Sequence, residues 1–594
     1  MAENNVSLVL LETSGNQAYI YATNKLRENM GASELTRLAG TKWVLDAVKK
    51  LTHQDLYRED PEELQRALTN HLQNPPIEED GTLVEVVEAA SGKALLLVHD
   101  ETDDGKVARG IVSEVTLRAL TEAPGLDIKG VVVQFDWSAP CSVPDALRRA
   151  YHRYEELRTS RPGPESRFLR LPVVAECATS GMPASEVDEG EENDEKESAI
   201  SMQTRAKRDV AGAIQERTTD VDAPREWRFA YKLSDDGWLA IVHADGNGLG
   251  QVFLHFEDFC KDDGIPVTNR KYVDTLRAFS CAVDVCTHKA FARAVESIVP
   301  YVKGKDADTN TLPMRPLVLG GDDLTVICDA KIALPFAEEY LRRFEEMTMQ
   351  EDVITPIAKR MTRGTIEKAW LSACAGVAIV KPHYPFFAAY SLAEELVSSA
   401  KGSKKKMLQE QDENLTWSWP CSALDFHVLY DSSSMELKDI RDKLTVDNGA
   451  TLLYGAPYLV TPQKKMDSVG EGQREWAALH SWEQLKTRVE VLRQKDEEGR
   501  WKLPSSQIHE LRAALFGGRA AADRSLQLIA HRYPVAIALM DRNRSSLFER
   551  SIKLNGPKGA GYVYVTQLLD AMEMKDFLPV EDKGTKPDKK GGNQ

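Results

Sequence analysis

Residues 314–330 read MRPLVLGGDDLTVICDA. Apolar, mostly branched residues flank Gly-Gly-Asp-Asp, the composition of two strands joined by a tight turn. Adjacent carboxylates at a hairpin tip repel each other, so the arrangement asks for a compensating charge. WLAIVHADG (238–246) reads as a strand ending in Asp and Gly, and YVDTLRAFSCAVDVCTHKAFARAVESIV (272–299) has long helical periodicity. ALPFAEEYLRRFEEMT (333–348) is a second amphipathic helix, and LSACAGVAIVK (371–381) is a last strand. The order β-α-β-β-α-β is that of the split βαβ, ferredoxin-like unit. AAYSLAEELVSSAKGSKKK (388–406) adds a helix that ends in lysines.

In such a unit the first strand lies beside the central hairpin. Asp245, Asp322 and Asp323 are then expected to converge and to act as the catalytic carboxylates. Crowded carboxylates are costly unless protons or cations intervene. A divalent ion with hard oxygen ligands is the usual remedy. Mg²⁺, or Mn²⁺ in its place, leaves room for water and substrate phosphates. Two such ions about 4 Å apart serve an in-line phosphoryl displacement. The expected ligands are Asp245, Asp322, Asp323 and the carbonyl of Gly246.

The surrounding residues suit a nucleotide. ADGNGLGQVF resembles a phosphate-cradling turn before a helix, so Gly246, Asn247, Gly248, Leu249 and Gly250 are candidate nucleotide contacts. Gly320 and Gly321 leave the backbone open to a ligand, and Lys401 and Lys381 are candidates to hold phosphates. Taken singly, each piece has a plainer reading. Gly-Gly-Asp-Asp is also ordinary turn chemistry. ADGNGLG is also a loop or a calcium loop, although the later bidentate Glu of an EF-hand is missing. Lys401 is also a solvated helix-end charge. The case rests on the order of the elements, which makes the two acidic motifs neighbours.

The totals set the frame. With 594 residues the chain is too long for one ordinary domain. A formal charge of −17 gives no global basic field for nucleic acid. The 8 cysteines are scattered without a CxxC pair, which argues against a disulfide scaffold or zinc ribbon and fits a reducing cytoplasm. Cys281 and Cys286 read as core. The N-terminal segment lacks the basic flank of a signal peptide, and no apolar run is long enough to span a membrane.

VSLVLLET (6–13), KALLLVHD (93–100) and KGVVVQFDW (129–137), with helical segments between them, predict a first α/β unit over 1–175. A linker and junction is expected over 176–235, with the acidic and mixed-charge stretch from Ser185 to Asp209 read as mobile. The catalytic unit is expected over 236–410, a mostly helical region over 411–575 and a disordered tail over 576–594.

The segment from about 236 to 406 resembles the palm domain of the large subunit of type III CRISPR effector complexes, the polymerase/cyclase that makes cyclic oligoadenylates. The matching pieces are HADGNGLG, LRAFSCAV, LVLGGDDLTVIC, SACAGVAIVKPHYPF and LAEELVSSAK. GGDD alone is moderately specific, since diguanylate cyclases share a related turn; the KPHYPF and LAEELVSSAK stretches are more distinctive. GNQAYIYATNKLRENMGASEL (15–35) resembles the start of that family's first, degenerate palm domain, and CATSGMPA (177–184) the junction before the second. SALDFHVLY (422–430) and LYGAPYLVTP (453–462) are similar to the stretch after it. The resemblance implies an α+β chain of two ferredoxin-like palm domains, the second catalytic, with a helical C-terminal domain. It further implies ATP as substrate, cyclic oligonucleotide products, and guide-RNA-bound backbone subunits and target RNA as partners. It places Ser280, in LRAFSCA, near the base.

Two departures stand out. Many family members begin with an HD nuclease, whereas here the only His-Asp pair, His99–Asp100, ends an apparent strand, so no HD nuclease is expected. The cysteine pairs of the family's zinc element are also missing. The competing readings are a dinucleotide cyclase, an enzyme using GTP, and an assembly subunit with a weak or inactive palm.

Overall fold

The computed structural model describes residues 5–99, 105–188, 197–216, 224, 227–230, 233, 237–261, 267–302, 310–410, 416–430, 436–466, 469–541, 545–553 and 561–579. Strand β1 (Asn5–Ser14) carries the apolar run VSLVLLET and is buried along most of its length. Helix α1 (Leu26–Gly40), strands β2 (Val84–Ala90) and β3 (Lys93–His99), helix α2 (Lys106–Glu122), strand β4 (Asp127–Asp136) and helix α3 (Ser142–Ser160) follow. The sheet order is β2-β3-β1-β4, with each neighbouring pair antiparallel.

Strand β2 was not among the expected strands. Its sequence, VEVVEAA, breaks the apolar run with glutamates. Glu85 is nevertheless fully buried, because Arg270 and Arg277 from the second unit both pair with it. Burial of that carboxylate is tolerable only with such partners. His99 closes β3, while Asp100 lies outside the described residues.

The expected mobile linker is corrected in part. Helix α4 (Met202–Glu216) packs along α1. Ala206, Val210, Ala211 and Ile214 form its apolar stripe, at helical spacing. Two of its charged residues are buried and paired: Lys207 donates to the Tyr19 carbonyl at 2.7 Å, and Arg208 pairs with buried Glu28 at 2.8 Å. The most acidic part of that stretch, 189–196, lies outside the described residues.

The second unit repeats the path of the first. Strand β5 (Leu239–Gly246), helix α5 (Asn269–Val302), strands β6 (Met314–Gly320) and β7 (Asp323–Asp329), helix α6 (Ala330–Gln350), strand β8 (Ala373–Val380) and helix α7 (Phe386–Lys401) run in the expected order. The strands lie in the order β6-β7-β5-β8, which puts the hairpin directly against β5. Helices α5 and α6 pack against each other and share a core with the sheet, whereas Ala389, Leu392, Ala393 and Leu396 of α7 pack in a core with Ile241, Ile327 and Ala378. The two units share apolar core: Leu8, Val133 and Tyr154 belong to one cluster with Phe279 and Val283.

The expected boundary at 410 is corrected as well. Strand β9 (Ala423–Val428) adds to β8 in parallel, and β10 (Tyr458–Leu459) adds to β9, so the sheet has six strands. The remainder is not purely helical. Helices over 471–479, 482–492, 505–516 and 519–532 accompany a four-stranded sheet formed by 445–446, 451–452, 549–553 and 561–565. Short two-residue strands leave little periodicity for a sequence reading to find. Most of the expected tail, 580–594, lies outside the described residues. Among the described residues no helix is long and apolar enough to cross a membrane.

Candidate active site

The turn between β6 and β7 is a two-residue loop. Gly320 pairs with Asp323, leaving Gly321 and Asp322 at the tip. Gly321 has φ +61° and Asp322 does not share that region, the pattern of a type II′ turn with Gly at its first position. Two side chains from α5 grip this glycine. Asp284 accepts from its N–H at 2.7 Å, and the Thr287 hydroxyl donates to its carbonyl at 2.6 Å.

The strand register brings the acids together. Leu324 of β7 faces Ala244 of β5, so the next residues along the same ladder are Asp323 and Asp245. Side chains alternate across a strand, and His243 with Thr325, two pairs back, lie on the same face as these two. Asp322 turns toward the end of β5 instead. A Cβ placed on Gly246 would stand 2.7 Å from its Oδ2, so only glycine leaves room for that carboxylate.

The electrostatics match the crowding. Burial, then the charge of Asp245, holds the Asp322 carboxyl above the usual carboxylate range, while Lys401 and the Gly246 amide pull it back. Asp323 reaches the surface at the tip, yet enclosure is still the largest cause raising its carboxyl, followed by Asp322 and Asp245. The two titrate as a pair.

Lys401 answers this charge. Its ammonium forms an ion pair with Asp245. Helix α7 delivers it by pressing closely on β8, where a Cβ on Gly376 would stand 2.2 Å from the Ala393 carbonyl. Any other residue at 376 would push the helix away.

The loop after β5 divides its expected residues. Gly248, at φ +78°, opens the short helix Leu249–Leu254, and a Cβ on it would stand 3.0 Å from the Lys404 ammonium. Gly250 is exposed. Asn247 faces the protein: its amide donates to the Ser372 hydroxyl at 3.1 Å and the Cys421 carbonyl at 3.0 Å. Leu249 is buried, so only its backbone faces the loop. For these two, only the backbone is left to face a ligand.

One further expectation is corrected. Lys381 follows β8 at the far end: Val380 pairs with Leu239, whereas Ala373 pairs with Gly246. Seven strand steps of about 3.3 Å put it some ~23 Å from the acids, and its ammonium lies 6.0 Å from the centre of the Trp238 ring. Ser280 faces the first unit, where its hydroxyl donates to Glu88 at 2.9 Å, and Glu88 in turn pairs with Lys93. Asp284, Thr287 and Lys404 were not singled out from the sequence. Asp284 and Thr287 interrupt an apolar helix at i, i+3 spacing, and that interruption was the available signal.

Three cavities are lined in part by residues that flank the cluster in sequence, Gly248, Gly250 and Gly320. One of about 460 Å³ is lined by Gly248, Arg360, Trp370, Lys404 and Trp419. A second, of about 430 Å³, lies between the units and is lined by Arg37, Ser91, Asp284, His288 and Gly320. A third, of about 370 Å³, is lined by Glu88, Lys93, Tyr151, Gly250 and Phe253. Each falls in the range of small-molecule sites.

The donors are all oxygens, and their surplus negative charge is what a hard cation relieves, so the residues fit Mg²⁺ or Mn²⁺. Among the described residues no group of three or more His, Cys, Asp or Glu side chains is arranged to hold a metal alone. Mg²⁺ needs no such group, because it takes one or two carboxylates and completes its shell with water and phosphates.

Comparison with known proteins supports the second unit. Residues 238–408 match the family described as Cas10/Cmr2, second palm domain. No curated protein matches the chain. Among solved structures, the apo type III-B Cmr-beta structure is similar at 10% identity and TM-score 0.47, over 96% of this chain and 81% of that one. The crystal structure of Csm1 in T. onnurineus is similar at 13% identity and TM-score 0.46, over 90% of this chain and 64% of that one. A Csm1–Csm4 cassette in complex with cA4 is similar at 13% identity and TM-score 0.45, over 92% and 68%. Residues 238–408, which hold both the acidic hairpin and the glycine loop, are thus similar to the second palm domain of the Cas10/Cmr2 type.

Proposed function

We propose that the chain is a metal-dependent nucleotidyltransferase that joins nucleoside triphosphates, ATP first among them, into cyclic oligonucleotide messengers of type III CRISPR-like antiviral defence. The observation that carries this is the seating of Asp322 on Gly246, beside Asp245 and its partner Lys401. The match of residues 238–408 to the Cas10/Cmr2 second palm domain supports the same reading.

Asp245, Asp322, Asp323 and the Gly246 carbonyl would hold the divalent ions. When bound, these ions lower the pKa of the attacking hydroxyl and neutralise the triphosphate. The loop at Gly248 and the ammonium groups of Lys401 and Lys404 orient the donor phosphates. Lys401, which pairs with Asp245 here, would then be within reach of the triphosphate. The acceptor ribose hydroxyl then attacks the donor α-phosphate in line, and pyrophosphate leaves. Placement and charge neutralisation supply most of the acceleration.

The first unit is proposed as a degenerate palm with a structural role. It has the same strand order, but the turn at the corresponding place is Ser91–Gly92, without carboxylates. Ser91 lies beside the catalytic turn: a Cβ on Gly320 would stand 3.5 Å from that of Ser91. Partner subunits carrying guide RNA, and target RNA as trigger, belong to the same proposal.

The test is pyrophosphate release from ATP with Mg²⁺ by the parent and by Asp322→Asn plus Asp323→Asn. Release by the parent and none by the folded double variant is expected. Full turnover by the double variant would overturn the assignment.

A further inference from the structure

Helix α5 does more than fill the core of the second unit. Its side chains reach the first unit from its N-terminal part and the catalytic turn from its middle. Arg277 pairs with Glu85, and Ser280 donates to Glu88. One turn later, Asp284 and Thr287 share a helix face and take both polar groups of Gly321. Thr287 is fully buried, so its hydroxyl needs a partner; the turn carbonyl provides it.

The geometry of this grip matters for Asp322. The Gly321 N–H belongs to the peptide plane before the glycine, and its carbonyl to the plane after it. Fixing both planes fixes φ and ψ of the one residue whose backbone is most free to rotate. The second plane also carries the nitrogen of Asp322, so its orientation sets where the Asp322 side chain leaves the backbone. Glycine at 321 supplies the turn conformation but no restraint of its own; the restraint comes from α5.

We propose that Asp284 and Thr287 are positioning residues that clamp the Gly321 peptides and thereby aim the Asp322 carboxylate at the site on Gly246. The role assigned to Asp322 rests on the nucleotidyltransferase reading above. The clamp itself is a statement about the metal-free turn and is measurable without any nucleotide.

The test uses the full chain and four variants: Asp284→Ala, Asp284→Asn, Thr287→Val and Thr287→Ser. Hydrogen exchange of the Gly321 amide is read on metal-free protein. Asp284→Ala should speed it about tenfold or more, the loss expected for a hydrogen bond to a charged group. Mn²⁺ affinity, read by electron paramagnetic resonance, should weaken about fivefold or more in Asp284→Ala and Thr287→Val, as expected when a ligand loses its support. Asp284→Asn keeps an acceptor and Thr287→Ser keeps the hydroxyl, so both should recover most of the parent's affinity. In turnover, Asp284→Ala and Thr287→Val should lower kcat and leave the KM for ATP nearly unchanged.

Unaltered exchange and Mn²⁺ affinity in Asp284→Ala and Thr287→Val would overturn the clamp. So would a loss in Thr287→Ser as large as in Thr287→Val. If Thr287→Val does not fold, the Asp284 pair decides the matter, since that side chain is only half-buried. A parent that binds Mn²⁺ but turns over no triphosphate would end the nucleotidyltransferase reading, while exchange and Mn²⁺ affinity still decide the clamp.

Discussion

Replacing Gly246 by alanine tests the contact on which the site is built. The glycine is not in the left-handed region, so alanine is compatible with its backbone. The new methyl group would stand 2.7 Å from Asp322 Oδ2, 2.7 Å from Leu249 Cδ1 and 2.9 Å from Asp322 Cβ, where ordinary contacts begin at 3.4 Å. Leu249 can give way at its flexible end. Rotation of the Asp322 side chain does not relieve the approach of its Cβ, which moves only with the backbone of the turn that Asp284 and Thr287 contact at Gly321. The carboxylate must therefore retreat by roughly 0.7 Å, close to the ~1 Å misplacement that costs about 10²-fold in rate. That corresponds to about 2.7 kcal/mol of transition-state stabilisation. Crowding also costs about 1–3 kcal/mol of stability, which a protein of this size withstands. The assay is pyrophosphate release at saturating Mg²⁺ and ATP, with the melting temperature measured alongside. Turnover within about threefold of the parent, in a folded variant, would refute the placement of Asp322 against Gly246, since a smaller loss lies below the effect of such a shift.

Other outcomes follow from the same geometry. Asp322 and Asp323 hold their protons more tightly in the folded chain than in the unfolded one, so metal-free stability should fall as pH rises from about 4 toward neutrality. Asp322→Asn plus Asp323→Asn should flatten that part of the melting-temperature profile; an unchanged slope would count against the crowding. Lys401→Met removes the cation that occupies Asp245, so Mn²⁺ affinity without nucleotide should rise while the KM for ATP increases several-fold. Loss of both affinities would contradict this. Lys381→Ala should leave turnover at the parental rate, because Lys381 sits at the opposite end of β8 from Asp245.

The acidic hairpin was legible because turn chemistry and strand periodicity are local. Asp322 and Asp323 stand between two apolar runs, and the element order alone makes β5 their neighbour. Lys381 was misplaced for a related reason: closeness to a strand in sequence does not say which end of the strand bears the site. Strand β2 escaped notice because Glu85 looks like a solvent-facing residue until Arg270 and Arg277 arrive from some 190 positions away. Helix α4 was hidden by its charges, although Ala206, Val210, Ala211 and Ile214 keep helical spacing among them. The addition of β9 to the sheet and the grip of Asp284 and Thr287 on Gly321 are tertiary events. No local pattern encodes them. In the first unit, the same strand order has Ser91–Gly92 at the turn where the second has Gly321–Asp322.

The central claim is that these carboxylates serve to join nucleotides. Purified chain, alone and with candidate partner subunits and target RNA, is incubated with each labelled nucleoside triphosphate and Mg²⁺ or Mn²⁺, and the products are identified by mass. The account predicts pyrophosphate together with cyclic oligonucleotides from ATP, both abolished by chelation of the metal. A chain that binds Mn²⁺ at this site yet forms no phosphodiester bond from any triphosphate under these conditions would contradict it.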